Sequence, residues 1–102
     1  MRKLVRDKIP DIIKAQDGVA NTEIASGDME YCKLLTSKLQ EEVLELLSAN
    51  TKAEKIEEMA DVLEVLDAIC EFNEIDMRSV MDTKSKKFAE RGGFGGRIVL
   101  IK

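Results

Sequence analysis

The chain of 102 residues contains no histidine, one proline, two cysteines and only 4% aromatic residues. Without histidine it cannot form a Ser-His-Asp or Cys-His catalytic system or the usual histidine-containing zinc sites. Two cysteines do not make a disulfide framework. Cys32 and Cys70 both fall on predicted apolar helix faces, where reduced core cysteines are typical. Few aromatic residues and many charged ones favour a helical protein over a β-sandwich or barrel.

An excess of basic residues is also absent, because sixteen Lys and Arg stand against twenty Asp and Glu, giving a formal net charge of −4. A general nucleic-acid binder needs a net basic surface, so the charge argues against that class. The charged N-terminus lacks the apolar stretch of a signal peptide, and no apolar run approaches membrane-spanning length. We therefore expect a cytoplasmic protein with no nucleic-acid or membrane partner, folded as a single domain over residues 1–102.

Apolar residues recur at spacings of three and four in several segments, which is typical of amphipathic helices. Asp7, Asp28 and Asp76 are placed to cap three of these helices at their N-termini. Thr51 and Glu54 form a capping box for the remaining one. The pattern predicts four helices, over about residues 8–16, 29–49, 52–72 and 77–91.

The second and third helices are joined by very few residues, so they form an antiparallel hairpin. Residues 97–101 form a short β-prone run after the last helix. The predicted fold class is therefore all-α, an antiparallel bundle of about four helices with a short C-terminal β-prone tail. The predicted apolar stripes of the hairpin are Cys32, Leu35, Leu39, Val43 and Leu46 on the second helix, and Ile56, Met59, Leu63, Leu66 and Cys70 on the third.

Acidic residues border both stripes. At about 100° per residue, Glu42 and Glu45 lie on one shoulder of the second helix, whereas Glu41 points away towards water. Glu58 and Asp61 share one shoulder of the third helix. Folding the hairpin brings both acidic pairs to the same height, so four carboxylates converge if the two shoulders face each other.

Four carboxylates in a half-buried space repel one another strongly unless a cation neutralises them. Carboxylate oxygens are hard ligands, so the expected ion is Mg²⁺ or Mn²⁺ rather than zinc or copper. The alternative is an ordinary acidic helix face that is solvated.

The fourth helix carries cations within its apolar stripe. Lys84 and Arg91 lie inside the stripe and Lys87 lies at its edge. Buried cations without partners cost free energy, so these side chains must reach solvent, pair with acids or meet an anionic ligand. An acidic metal cradle together with a basic strip is the charge layout that a metal–polyphosphate ligand requires.

Two short acidic motifs now stand out: Glu41–Glu45 has the form EExxE, and Glu58–Asp61 has the form ExxD. Together they resemble the all-α nucleoside triphosphate pyrophosphohydrolase superfamily, which includes MazG-like enzymes, phosphoribosyl-ATP pyrophosphohydrolase and dimeric dUTPases. The flanking segments Lys3–Pro10 and Lys87–Phe94 resemble those of a small house-cleaning MazG-like group. The resemblance therefore covers nearly the whole chain.

The resemblance implies that Glu42, Glu45, Glu58 and Asp61 bind Mg²⁺. It also implies hydrolysis of a nucleoside triphosphate to the monophosphate and pyrophosphate by a homodimer or homotetramer. On this interpretation a water attacks a phosphoryl group with the help of the metal, and Glu42 or Glu45 is the general base.

Basic residues are expected to hold the phosphates, and an aromatic side chain is expected to stack on the base. Lys38 lies one turn before Glu42 and either binds phosphate, tunes the carboxylate pKa values or forms a plain salt bridge. The predicted substrate-binding residues are Lys38, Lys84, Lys87, Arg91, Arg6 and Phe94.

Two rival interpretations stay open. The first is an enzyme of the same fold with one dedicated substrate, such as phosphoribosyl-ATP. The second is a non-catalytic helical interaction module whose acidic shoulder is merely solvated, and this module would release no pyrophosphate.

Overall fold

The computed structural model of the protein describes residues 2–101. No strand occurs within that range, and no helix in it is long and apolar enough to cross a membrane. The predicted all-α class with four helices is confirmed, and the predicted bounds of the last two helices agree with the structure. The helices are α1 (Ile9–Ala15), α2 (Asp28–Ser48), α3 (Lys52–Phe72) and α4 (Met77–Arg91).

The chain divides into two compact units, one extending to Ala68 and the other beginning at Ile69. The boundary falls inside α3. The first unit contains α1, α2 and most of α3, and the second contains the end of α3, all of α4 and the C-terminal tail. The expectation of one domain over the whole chain stays a prediction.

The link between α2 and α3 begins at Ala49, which is buried and extended, and ends at Thr51. The Thr51 hydroxyl accepts a hydrogen bond from the Glu54 backbone N–H at 3.1 Å and donates one to Glu54 Oε1 at 2.9 Å. This pair satisfies one of the free N–H groups in the first turn of α3, as the capping motif predicted. The short link makes α2 and α3 an antiparallel hairpin.

Local signals also define both ends of α4. The Asp76 carboxylate accepts a hydrogen bond from the Arg78 backbone N–H at 2.9 Å, which confirms the predicted cap. After Arg91, Gly92 adopts a φ of 79°, and its N–H donates to the Phe88 carbonyl at 2.8 Å. Glycine tolerates this left-handed conformation because it has no Cβ, so the helix stops there.

The predicted caps of α1 and α2 are wrong. Lys8 occupies the cap position of α1 without a side-chain hydrogen bond, so Asp7 does not cap that helix. Gly27 occupies the cap position of α2, and Asp28 is already helical. The Glu30 carboxylate instead accepts a hydrogen bond from the Ser26 backbone N–H at 2.9 Å. That backbone hydrogen bond lowers the pKa of Glu30.

The predicted apolar stripes are only partly buried: Leu35 and Cys70 belong to them and are buried, whereas much of the stripe predicted for α3 is exposed. Leu35 and Glu42 are buried on α2, and Val65 is buried on α3. Because α3 is apolar around much of its circumference, periodicity alone does not select the face that packs inside the unit. Six predicted stripe residues are instead exposed: Cys32, Val43, Ile56, Met59, Leu63 and Leu66.

The β-prone run after α4 does not form a strand in the described part of the chain. Its four consecutive aliphatic side chains are nearly fully exposed, from 80% for Val99 to 91% for Ile98. A strand needs a neighbouring backbone to complete its hydrogen bonds, and the second unit offers none to this segment.

Candidate metal centre

The hairpin brings together three of the four predicted carboxylates. One oxygen each from Glu42 on α2 and from Glu58 and Asp61 on α3 lie within 4.8 Å of one another. Glu58 and Asp61 are one helical turn apart and share a face of α3. The antiparallel turn places Glu42 opposite them, because all three lie at similar distances along the chain from the link.

Glu45 lies outside this group of three and is exposed. It is one turn beyond Glu42 on the same helix, and its negative charge contributes to the raised pKa of Glu42. Its role as a fourth metal ligand or as a general base stays a prediction.

Glu42 is the most buried charged residue of the group, with only 5% of its surface exposed. Its Oε1 atom lies 3.1 Å from Lys38 Nζ. Its Oε2 atom, like Glu58 Oε2, is buried without a hydrogen-bond partner among the described residues. A buried acceptor without a donor is costly, and a cation would supply the missing interaction for both oxygens. The donor set of three carboxylates therefore fits a hard divalent ion such as Mg²⁺ or Mn²⁺.

Burial raises the pKa of Glu42, and the negative charges of Glu45 and Asp61 raise it further. The hydrogen bond and positive charge of Lys38 act in the opposite direction but do not cancel this effect. The ionised form of Glu42 is thus held in an environment that disfavours it. A divalent cation beside the three carboxylates would remove that penalty.

Lys38 joins Glu42 to Glu41. Its Nζ atom lies 2.6 Å from Glu41 Oε2, and Lys3 Nζ lies 3.2 Å from Glu41 Oε1. The hydrogen bond from Lys38 holds the pKa of Glu41 below its usual value. The expectation that Glu41 points away to water is therefore wrong, since only 30% of its side chain is exposed and two lysines bind it.

Arg6, a predicted substrate contact, instead forms an ion pair with one of the three clustered carboxylates. Its Nη2 atom donates to Asp61 Oδ1 at 2.7 Å, and its Nη1 atom lies 3.9 Å from Glu64 Oε1. Arg6 is thus a built-in counter-ion for one of the three carboxylates. Arg2, in the same N-terminal segment, pairs with Glu23 and Glu30.

Lys3 is the residue that sequence reasoning missed at this centre. It lies 38 positions from Glu41, so no helical spacing connects the two. The sequence does contain a hint of this contact: Arg2, Lys3 and Arg6 are clustered, and the hairpin of α2 and α3 is strongly acidic. Opposite net charges of this kind favour contact but do not specify which residues pair.

The other predicted substrate-binding residues lie in the second unit. The side chains of Lys84, Lys87 and Arg91 are exposed on α4, and Phe94 is 99% exposed after it. Within residues 2–101, none of the three cations takes part in an ion pair. These cations were expected to reach solvent, to pair with acids or to meet an anionic ligand. In the structure they reach solvent.

No model of a known protein family matches the chain, and no solved structure matches it. An uncharacterised protein of Mycolicibacterium smegmatis is 42% identical over 57 residues, which make up 56% of this chain and 57% of that protein. The chain thus spans little more than half the length of this relative, whose name states no activity.

Proposed function

We propose that the protein is a cytoplasmic, Mg²⁺-dependent nucleoside triphosphate pyrophosphohydrolase of the MazG-like all-α superfamily. It releases a nucleoside monophosphate and pyrophosphate, and its role is the removal of noncanonical nucleotides. The observation that carries the proposal is the group formed by Glu42, Glu58 and Asp61, with two buried oxygens that have no hydrogen-bond partner. The choice of this reaction rests on the resemblance of the EExxE and ExxD motifs to those of that superfamily.

Glu42, Glu58 and Asp61 would hold Mg²⁺ or Mn²⁺, with Glu45 as a further ligand or as the base. When bound, the ion supplies the counter-charge and Lewis acidity that hydrolysis of a phosphoanhydride requires. The attacking water forms a new P–O bond while the bond to the pyrophosphate leaving group breaks. The proton that the water loses passes to a carboxylate.

Glu45 is the better placed of the two candidate bases. Its side chain is exposed, so a water and a substrate can reach it. Glu42 is buried, and one of its oxygens is already held by Lys38 at 3.1 Å. We therefore assign proton acceptance to Glu45 and charge neutralisation of the ion to Glu42.

A homodimer or homotetramer is part of the proposal. The outer faces of α2 and α3 expose large aliphatic side chains that a second copy would cover. Their exposed fractions range from 36% for Leu66 to 75% for Leu47. Burying such side chains between copies would recover the hydrophobic stabilisation that packing within the first unit leaves unused.

A non-catalytic helical module is the second candidate, and one observation favours it. Arg6 lies 2.7 Å from Asp61, and Lys38 lies 3.1 Å from Glu42, so two of the three carboxylates already have counter-ions within the chain. In that case the acidic group is a structural ion-pair network. Such a protein would neither bind Mg²⁺ specifically nor release pyrophosphate.

The decisive experiment measures pyrophosphate release from a panel of canonical and modified nucleoside triphosphates and phosphoribosyl-ATP, with Mg²⁺ and with EDTA. We expect Mg²⁺-dependent release that Asp61→Asn abolishes. The matched control is Asp67→Asn, which makes the same chemical change at an exposed position of α3 outside the acidic group. Release from phosphoribosyl-ATP alone would identify the dedicated enzyme, and no release from any compound would favour the module.

A further inference from the structure

The N-terminal segment, residues 2–6, forms neither helix nor strand and lies against the hairpin of α2 and α3. Its cations reach carboxylates that are far away in the sequence. Lys3 Nζ lies 3.2 Å from Glu41 Oε1 on α2, and Arg6 Nη2 lies 2.7 Å from Asp61 Oδ1 on α3. The N-terminal segment therefore contacts both helices of the hairpin through pairs of opposite charges.

Ion pairs contribute most of the contacts that attach this segment. The side chains of Arg2, Lys3 and Arg6 are all more than half exposed. Val5 is exposed as well, and only Leu4 of the five residues is half-buried. Exposed ion pairs are individually weak, because water and salt screen them. The segment is therefore held by contacts that a stronger competitor can displace.

One of these attachments involves the acidic group itself. The partner of Arg6 is Asp61, which clusters with Glu42 and Glu58, whereas the other cations of the segment pair with carboxylates outside this group. The Oε2 atoms of Glu42 and Glu58 are buried without a hydrogen-bond partner among the described residues, so Arg6 neutralises only part of the group. A divalent ion that satisfied these oxygens would bring a second positive charge to the carboxylate that holds Arg6. Two cations on one carboxylate repel each other, and the doubly charged ion is the stronger competitor.

We propose that the N-terminal segment is a strap that holds Arg6 on the acidic group until a divalent ion binds, and that ion binding releases it at Arg6. The proposal rests on the metal centre of the proposed function and describes how that centre is regulated. Because the two equilibria share Asp61, they are linked: the ion loosens the strap by the same factor by which the strap weakens ion binding. Access of solutes to the centre then depends on whether the ion is bound.

The first test measures, by NMR of the isotope-labelled full-length protein, how fast the guanidinium protons of Arg6 exchange with water. Saturation with Mg²⁺ should raise this rate by at least about fivefold, because release from Asp61 removes the protection of the ion pair. The internal control is Arg2, which pairs with Glu23 and Glu30 outside the acidic group and should change by less than about twofold. The reference sample contains NaCl at the same ionic strength, so that screening is equal in both.

A second test asks whether the backbone of the segment moves together with the Arg6 side chain. Val5→Cys places a spin label beside Arg6, and Cys32→Ser removes the exposed native thiol. Mg²⁺ should shorten the rotational correlation time of this label by about twofold or more, and Arg6→Gln should do the same without Mg²⁺. The matched control is a label at Val19→Cys, an exposed valine outside the segment, which should not respond to Mg²⁺.

Binding of Mn²⁺, followed by loss of the free-ion paramagnetic resonance signal, separates the possible failures. If Mn²⁺ binds but Mg²⁺ leaves the exchange rate of Arg6 unchanged, the strap is overturned and the proposed metal centre stands. Equal increases at Arg6 and Arg2 would also overturn the strap, because they would show a general loosening of ion pairs. Faster exchange at Arg6 with an unchanged label at position 5 would confine the change to one side chain and overturn release of the segment. Absence of Mn²⁺ binding would remove the metal centre and the strap together.

Discussion

The two units differ in how their charged side chains are paired. In the first unit, cations of the chain pair with carboxylates, Arg6 with Asp61 and Lys38 with Glu41 and Glu42. In the second unit, Lys84 and its neighbours line a groove without acidic partners. A ligand must therefore displace or join existing ion pairs in the first unit, whereas in the second it meets cations that are already free. The comparison predicts different responses to the removal of single charges.

The largest effect is expected for Asp61→Asn. Removing one of the three clustered carboxylates should lower the rate of pyrophosphate release by at least about a thousandfold, because the ion loses a ligand. Circular dichroism should show unchanged helix content. A similar loss in Asp67→Asn would mean that acidic residues of α3 matter through overall charge, and the distinction between clustered and solvated carboxylates would fail.

Glu42→Gln should stabilise the protein in EDTA at pH 7. A carboxyl group with a raised pKa stabilises the fold below its ordinary value of 4.5 and loses this contribution as pH rises through the raised pKa. Ionised Glu42 is therefore a liability at neutral pH when no metal is bound. Thermal unfolding should show a higher midpoint for the variant at pH 7 and no difference below about pH 4.

The same variant should no longer be stabilised by metal. Native protein should gain thermal stability when Mg²⁺ is added, because a ligand that binds only the folded state stabilises it. Glu42→Gln should lose this gain. A variant that is less stable than the native protein in EDTA would show that the Lys38–Glu42 pair outweighs the cost of burial.

Arg6→Gln should tighten Mn²⁺ binding by about threefold to tenfold, because it removes a positive charge that competes for Asp61. Electron paramagnetic resonance of free Mn²⁺ measures this directly. Arg2→Gln is the matched control, since Arg2 pairs with Glu23 and Glu30 outside the acidic group. Weaker Mn²⁺ binding in Arg6→Gln would mean that Arg6 positions Asp61 for the ion.

The smallest effect is expected for Glu41→Gln. Its ion pairs with Lys38 and Lys3 are partly exposed, so their loss should cost about 0.5–1 kcal/mol of stability at pH 7. Because the pKa of Glu41 is lowered, this contribution is present above the ordinary value of 4.5 and disappears as pH falls through the lowered pKa. The stability difference should therefore shrink on acidification, and activity should fall by less than about threefold. A loss as large as that of Asp61→Asn would place Glu41 in the metal centre.

Some features set by neighbouring residues were readable from the sequence, although the predicted caps of α1 and α2 were wrong. Thr51 caps α3, Asp76 caps α4 and Gly92 ends α4, because each acts through backbone groups within a few positions. The approach of Glu42 to Glu58 and Asp61 was readable too, since a short link fixes the register of a hairpin.

Features set by tertiary packing were not readable. The stripe that includes Met59 and Leu63 has a clear helical period, yet α3 packs inside the first unit through the face that carries Val65. A helix with apolar residues on several sides gives no local reason to prefer one of them. Likewise, Arg6 and Asp61 are 55 positions apart, and no spacing rule links residues at that distance.

Cys32 and Cys70 differ in a way that is useful to an experimenter, since the first is exposed and the second buried. A thiol-reactive dye or spin label should therefore modify Cys32 selectively in the folded protein. Cys32 and Glu42 lie on the same helix, about 15 Å apart along its axis at about 1.5 Å per residue. The distance between a spin label on Cys32 and paramagnetic Mn²⁺ could then be measured. That distance would show whether the ion binds beside Glu42.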